Sequence, residues 1–430
     1  MLLSHVVAFA FGSTAIGQGL SFERPPIDYH NAEVFDPVSI LAEKIRSGDT
    51  QLAHDPHFGY LKSVLKALDV PVSSQTLVFS KTSLQLHRIS KRSPRSLYFN
   101  DDVYVGFTQQ GDVLEIAATG PRQGATFYTL SQSEHGQPTF VRDRGNCLAC
   151  HATGRTQNVP GYLVRSVFPD SQGRPRYGRG TFLTDPASAF KDRWGGWYVT
   201  GQHGDMRHMG NSTCDDDATP FDRESGANCI DLSDFIRTEN FLSPHSDIVA
   251  LLVLQHQSQM HNAIAVANYE TRQAVFHSNQ MNELLEREAD HLSQSSERRI
   301  HGAAVRVVKH LLMCDEFPLT AKVVGSSDFA KEFRSRGKRD SRGRSLRDFD
   351  LQTRVFRYPC SYLIHSQAFD GLPTRVRDQI LKQLVTILTS PDRIPDDYQH
   401  ISSGLRRDIL EILRDTQPDI QRIERELQND

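Results

Sequence analysis

The chain has 430 residues, and its 49 Lys and Arg against 52 Asp and Glu give a formal charge of −3. That balance supplies no global field for a polyanion, so a nucleic-acid partner is not expected. The length suits two or three domains, and 6 Cys with 18 His admit disulfide, thiol or haem chemistry.

Met1 to Gly12 form an apolar run of h-region length, followed by small residues around Ser13 to Gly17, which reads as an export signal over 1–20. No Lys or Arg stands in its n-region, and a buried N-terminal strand or helix is the competing reading. No later run approaches the ~18 apolar residues that span a bilayer, so no transmembrane segment is expected. In segment 21–135, Asp36-Pro37 opens a helix over Val38 to Ile45, and Phe58 to Leu68 repeats apolar residues at three and four before Pro71. From Leu77 the period changes to two. Short strands are predicted at Leu77–Phe79, Leu97–Phe99, Val103–Phe107, Val113–Ala117 and Thr126–Tyr128, separated by turn residues.

Segment 136–235 contains Cys147-Leu148-Ala149-Cys150-His151, the C-x-x-C-H signature of c-type haem attachment. Two thiols add across the haem vinyl groups, and the adjacent imidazole reaches the iron. A thiol redox pair expects a strand-to-helix context that Thr139-Phe140-Val141 and Gly145-Asn146 do not offer, and zinc expects a second ligand pair of similar spacing. Arg142, Arg144, Arg155, Arg165, Arg174, Arg176 and Arg179 cluster around the motif as candidate partners for the haem propionates. Further strands are expected at Tyr162–Phe168 and Trp197–Val199.

The second axial position has candidates in two places. Trp194 to Asn211 gathers both tryptophans with His203, Met206, His208 and Met209. A predicted helix from Ser243 places His256 on an apolar stripe with Val249, Leu252, Val253, Met260, Ala263 and Ala267, with His261 on its flank. His208, Met209 and His256 are the leading alternatives. Cys214 and Cys229 flank a polar segment that a disulfide would staple in an oxidising compartment, which leaves Cys314 with Cys360; the other pairings remain open.

Segment 236–430 reads as helical, with a helix capped at Pro244 to Asp247 and running to about Ala274, and others over Asn282–Leu312, Thr374–Leu388 and Leu405–Leu427. Lys331 to Arg347 is basic and Gly/Ser-containing: a solvated loop, or else a docking face for an acidic redox partner. The predicted class is α+β, with a β-rich N-terminal half of short-strand meander, a central haem-binding loop region and a helical C-terminal half.

Through C-x-x-C-H the chain resembles c-type cytochromes. Through Val78–Gln85, Tyr98–Gly106 and Arg193–Gly201 it resembles a family of exported bacterial cytochrome c domain proteins of unestablished substrate. The resemblance implies one covalent haem c on Cys147 and Cys150, with His151 as proximal ligand, attached outside the cytoplasm in the periplasm or another exported location. The expected function is one-electron transfer with redox proteins as partners. The rival is a peroxidase-like haem enzyme in which His203, His208 or a nearby Arg assists O–O cleavage, and a haem-based sensor is a third reading.

Overall fold

The computed structural model describes residues 21–391 and 394–429, so the expected export signal lies outside the described residues. The period-two runs form the antiparallel strands β1 (Thr76–Val78), β2 (Arg95–Phe99), β3 (Val103–Phe107), β4 (Val113–Gly120) and β5 (Gly124–Ser131). β6 (Phe140–Arg142) follows, then a separate ribbon of β7 (Arg165–Val167) with β8 (Thr181–Leu183), and β9 (Trp197–Tyr198). The main sheet has seven strands in the order β6-β5-β4-β3-β2-β1-β9, so segment 136–235 supplies both edges of the N-terminal sheet. β10 (Gly201–Gln202) pairs with β11 (Val324–Gly325) in a second ribbon.

Period two gives the sheet two apolar faces. Tyr98, Val105, Phe107, Leu114, Ile116 and Leu130 pack with α1 (Pro37–Ser47) and α2 (Leu61–Ala67). Their neighbours one step along, Phe99, Tyr104, Ala117, Ala125 and Phe127, belong to the main core. That core includes the short α3 (Leu148–His151) and the long α4 (Ile248–Leu284). Each buried large apolar side chain contributes about 1.5–3 kcal/mol, so a one-residue slip of any central strand would exchange the two cores and is strongly disfavoured.

α4 is buried on every side from Ile248 to Val266, as expected of a core helix. It starts at Ile248 because Asp247 Oδ1 accepts from Val249 N at 2.7 Å, while Oδ2 accepts from Ser326 N at 2.9 Å and Ser327 N at 2.8 Å. Gln257 is satisfied across the layers. Gln257 Nε2 donates to Asn100 O at 2.6 Å and to Tyr104 OH at 2.8 Å, and Gln257 Oε1 accepts from Tyr362 OH at 2.6 Å. α5 (Gln294–Leu311) begins later than the sequence pattern suggests, because the Asn282 side chain donates to His291 O at 2.8 Å and ties down the connection.

Beyond α5 come α6 (Phe329–Ser335), α7 (Gln367–Asp370), α8 (Thr374–Thr389), α9 (Ser403–Thr416) and α10 (Asp419–Asn429). The stretch expected to run through Leu405 to Leu427 breaks at Gln417-Pro418, where proline has no N–H to continue the ladder. The fold is α+β, with the β-rich half N-terminal and the helical half C-terminal. No described helix is long and apolar enough to cross a membrane.

The arginines of the basic segment form ion pairs within the chain. Arg334 pairs with Asp348, Arg336 with Asp69, Arg342 with Glu411, and Arg347 with Asp101. Arg344 bridges Asp340, Asp408 and Glu411. Part of it is α6 rather than loop, because Phe329 and Phe333 bury one side of that turn.

Asp36 ties α1 to the sheet. Its Oδ1 accepts from Val38 N and Ser39 N, each at 2.9 Å, and its Oδ2 accepts from Tyr128 OH at 2.6 Å. Asp36→Ala removes a helix cap and leaves a buried phenol unpaired, so a loss of about 2–4 kcal/mol in urea unfolding is expected. A change under ~0.5 kcal/mol would contradict this role.

Candidate haem-attachment site

The motif is built as a single helical turn. Asp143 Oδ2 accepts from Gly145 N at 3.0 Å and Cys147 N at 2.9 Å, which turns the chain after β6. Cys147 O then accepts from Cys150 N at 3.1 Å and His151 N at 2.9 Å. Leu148 points into the core, while Ala149 and Cys150 are exposed. Both thiols and the imidazole thus leave one turn of backbone.

A reciprocal pair fixes the imidazole. His151 Nδ1–H donates to Gly161 O at 2.9 Å, and Gly161 N–H donates back to His151 O at 2.9 Å. The carbonyl acceptor assigns the proton to Nδ1, and Nε2 has no hydrogen-bond partner among the described residues. Gly161 is held in turn by α4, where Asn262 Oδ1 accepts from Tyr162 N and Asn262 Nδ2 donates to Tyr162 O, both at 2.8 Å. A Cβ at Gly161 would stand 2.3 Å from Asn262 Oδ1, so this approach requires glycine. On the sheet side, the Phe127 ring lies 4.9 Å from the His151 ring.

Burial lowers the His151 pKa below the ordinary imidazole value and keeps the ring neutral. Burial, reinforced by Asp143, pushes the Cys147 thiol up to about 12. A thiol redox couple needs a stabilised thiolate, and this environment opposes one. Among the described residues, no three His, Cys, Asp or Glu side chains gather as a metal-ion site. The donor set does fit a c-type haem: two sulfurs on one turn, a neutral imidazole with Nε2 open, and a carbonyl on Nδ1.

The candidates for the second axial position have their own partners. His208 Nδ1 accepts from Gly210 N at 3.0 Å, and its ring lies among Phe190, Trp194 and His203. Met209 packs with Phe168, Cys214 and Phe221. His256 Nε2 bonds Ser361 Oγ at 2.8 Å and faces Phe356 and Tyr362. His203 uses both nitrogens, with Nδ1 on Met206 O at 2.6 Å and Nε2 accepting from Asn228 N at 2.9 Å. His261 is closest to the motif's return loop; its ring lies 5.7 Å from that of Tyr162, and Nε2 bonds Asp101 O at 2.7 Å. None of them shares the ring contact with Phe127 or the bond to Gly161 that His151 makes.

The expected disulfides are not formed, and all six cysteines are free. Cys214 packs among Phe168, Met209 and Phe221, whereas Cys229 donates to Asp231 O at 2.7 Å beside a different cluster. Cys360 is fully buried in the main core, and Cys314 lies at that core's margin. Of the arginines expected near a propionate, Arg142 binds Tyr29 O and Ala32 O, Arg165 reaches Thr181, and Arg176 and Arg179 hold the acidic loop Asp215–Thr219. Arg144 and Arg155 are exposed and Arg174 is a loop residue. The sequence reading missed Arg95 and Glu115, whose charges act on both Cys147 and His151. The strand period put them on the same face as Phe99 and Phe127, but nothing in the sequence says where the motif docks.

Comparison of the chain with family models, with curated proteins and with solved structures finds no match.

Several histidines are held neutral by burial, and His256 and His261 are pushed down to about 3 and about 4. A folded-state value below the unfolded ~6.5 means the unfolded chain takes the proton first, so stability is full above that pH and falls as pH drops. Each such group adds a slope of about 1.4 kcal/mol per pH unit below ~6. In urea unfolding from pH 7 to 4, His256→Gln is expected to reduce the acid slope by about one proton relative to wild type. Identical slopes would mean that His256 is not held neutral.

Proposed function

We propose that the chain carries one haem c, tethered through Cys147 and Cys150 with His151 as proximal ligand, and serves as a one-electron carrier between exported redox proteins. The observation that carries this reading is the reciprocal pair between His151 and Gly161, which delivers a neutral imidazole with Nε2 free at the end of the turn that begins at Cys147. Bound haem would supply a reversible one-electron iron couple. The chain's own part is to orient and shield. Gly161 O holds the Nδ1 proton, which prevents ring rotation and raises the basicity of Nε2. Asn262 keeps Gly161 in place, and Phe127 covers the ring on the sheet side.

A second reading is a haem enzyme with an open distal position. What favours it is that His203, Met209 and His256 are engaged away from the contacts of His151, and that His208 is bonded only through Nδ1, its buried Nε2 having no partner among the described residues.

Expression in a host that assembles c-type cytochromes, followed by intact mass and a pyridine haemochrome spectrum, tests the shared premise. One haem per chain is expected in wild type and none in Cys147→Ala/Cys150→Ala, and colourless wild type of unmodified mass would overturn the proposal. Carbon monoxide then separates the readings. A carrier with a filled sixth position binds it slowly or not at all, whereas rapid binding together with peroxide turnover favours the enzyme.

A further inference from the structure

The main sheet extends beyond the part that α4 covers. One row across it runs Phe99–Tyr104–Ala117–Phe127, with α4 reaching Tyr104 through Gln257 and His151 lying on Phe127. The next row on the same face runs Leu97–Gly106–Glu115–Thr129–Val141. In this second row Gly106 has no side chain, and the Arg95 guanidinium occupies the space. A Cβ on Gly106 would stand 2.2 Å from Arg95 Nη2. From there Arg95 reaches Glu115 Oε2 at 2.9 Å, while Glu115 Oε1 accepts from Gln85 Nε2 at 3.1 Å.

This pair lies one row along the same sheet face from Phe127, on which the His151 ring rests at 4.9 Å. Arg95 Nε is buried and has no acceptor among the described residues. Apolar side chains are exposed on either side of Gln85 and at the end of the row: Leu84 and Leu86 are 50% and 49% exposed, and Val141 is 58% exposed. An unused guanidinium donor, a floor of sheet and apolar side chains left in water are complementary to a flat apolar ring bearing carboxylates. A planar guanidinium fork suits a carboxylate, and it can serve two at once through different N–H groups.

We infer that Arg95 is the positioning residue for a haem propionate, held across Gly106 and oriented by Glu115 before the haem arrives. This rests on the proposed haem attachment and assigns a role to residues on β2 and β4 that the motif itself does not include. With the cation beside the porphyrin edge, the ferrous state is favoured, whereas Glu115 acts in the opposite sense.

The test uses holoprotein of the wild type, Arg95→Gln, Arg95→Lys and Glu115→Gln, measured by spectroelectrochemical titration and resonance Raman. At the wild-type midpoint potential, the ferrous-to-ferric ratio is expected to fall several-fold in Arg95→Gln and to rise several-fold in Glu115→Gln. The propionate bending band should shift in Arg95→Gln, and Arg95→Lys should recover the potential in part without restoring that band, because it returns the charge but not the fork. Arg95→Gln that keeps its haem with unchanged potential and unchanged propionate band overturns the inference and leaves haem attachment standing. If Arg95→Gln yields no folded protein, an unchanged potential in Glu115→Gln overturns it equally. Haem-free wild type overturns the underlying reading instead.

Discussion

The amide of Asn262 bonds both backbone groups of Tyr162, and the placement of the motif follows from that clamp. It sits on the part of α4 that is buried on every side, so it is anchored in the main core. Gly161 is brought against α4, its carbonyl accepts the hydrogen bond of His151 Nδ1–H, and its N–H closes the loop onto the same residue. A buried amide that satisfies two backbone groups at once is costly to lose, at about 1–3 kcal/mol for each group left unpaired. Local order at an exposed cysteine turn is thereby drawn from the core.

The layers around this clamp explain why the turn can be so short. β5 supplies Phe127 from below, and Asp143 at the end of β6 ties two N–H groups that lead into the turn. A turn of this length has no stability of its own. It persists because the sheet, the return loop and α4 each hold one of its sides.

Much of the fold was legible in the sequence, because period two and period 3.6 are local properties. The five strands from Leu77 to Tyr128 and the helix after Asp36-Pro37 lie where the patterns put them. α4 was readable as a helix with one apolar stripe through His256, but not as one buried all round, since the partners of Gln255, Gln257 and Asn262 lie on other layers. The start of α5 depends on an amide that reaches nine residues along the chain, from Asn282 to His291, and composition cannot show this. At the site, the motif residues were legible and their electrostatic neighbours were not. Arg95 is remote in sequence, and only the sheet register places it near the motif. The same limit applies to the cysteines: Cys214 and Cys229 flank one loop but point into different clusters.

Of the six cysteines, Cys150 alone is exposed, while the other five are wholly or partly covered by packing. In an oxidising space an uncovered sulfur is the one that small oxidants and other chains encounter first. Forming a thioether at Cys150 would therefore do more than hold a cofactor: it would retire the one sulfur through which two copies of this protein could most easily become covalently crosslinked.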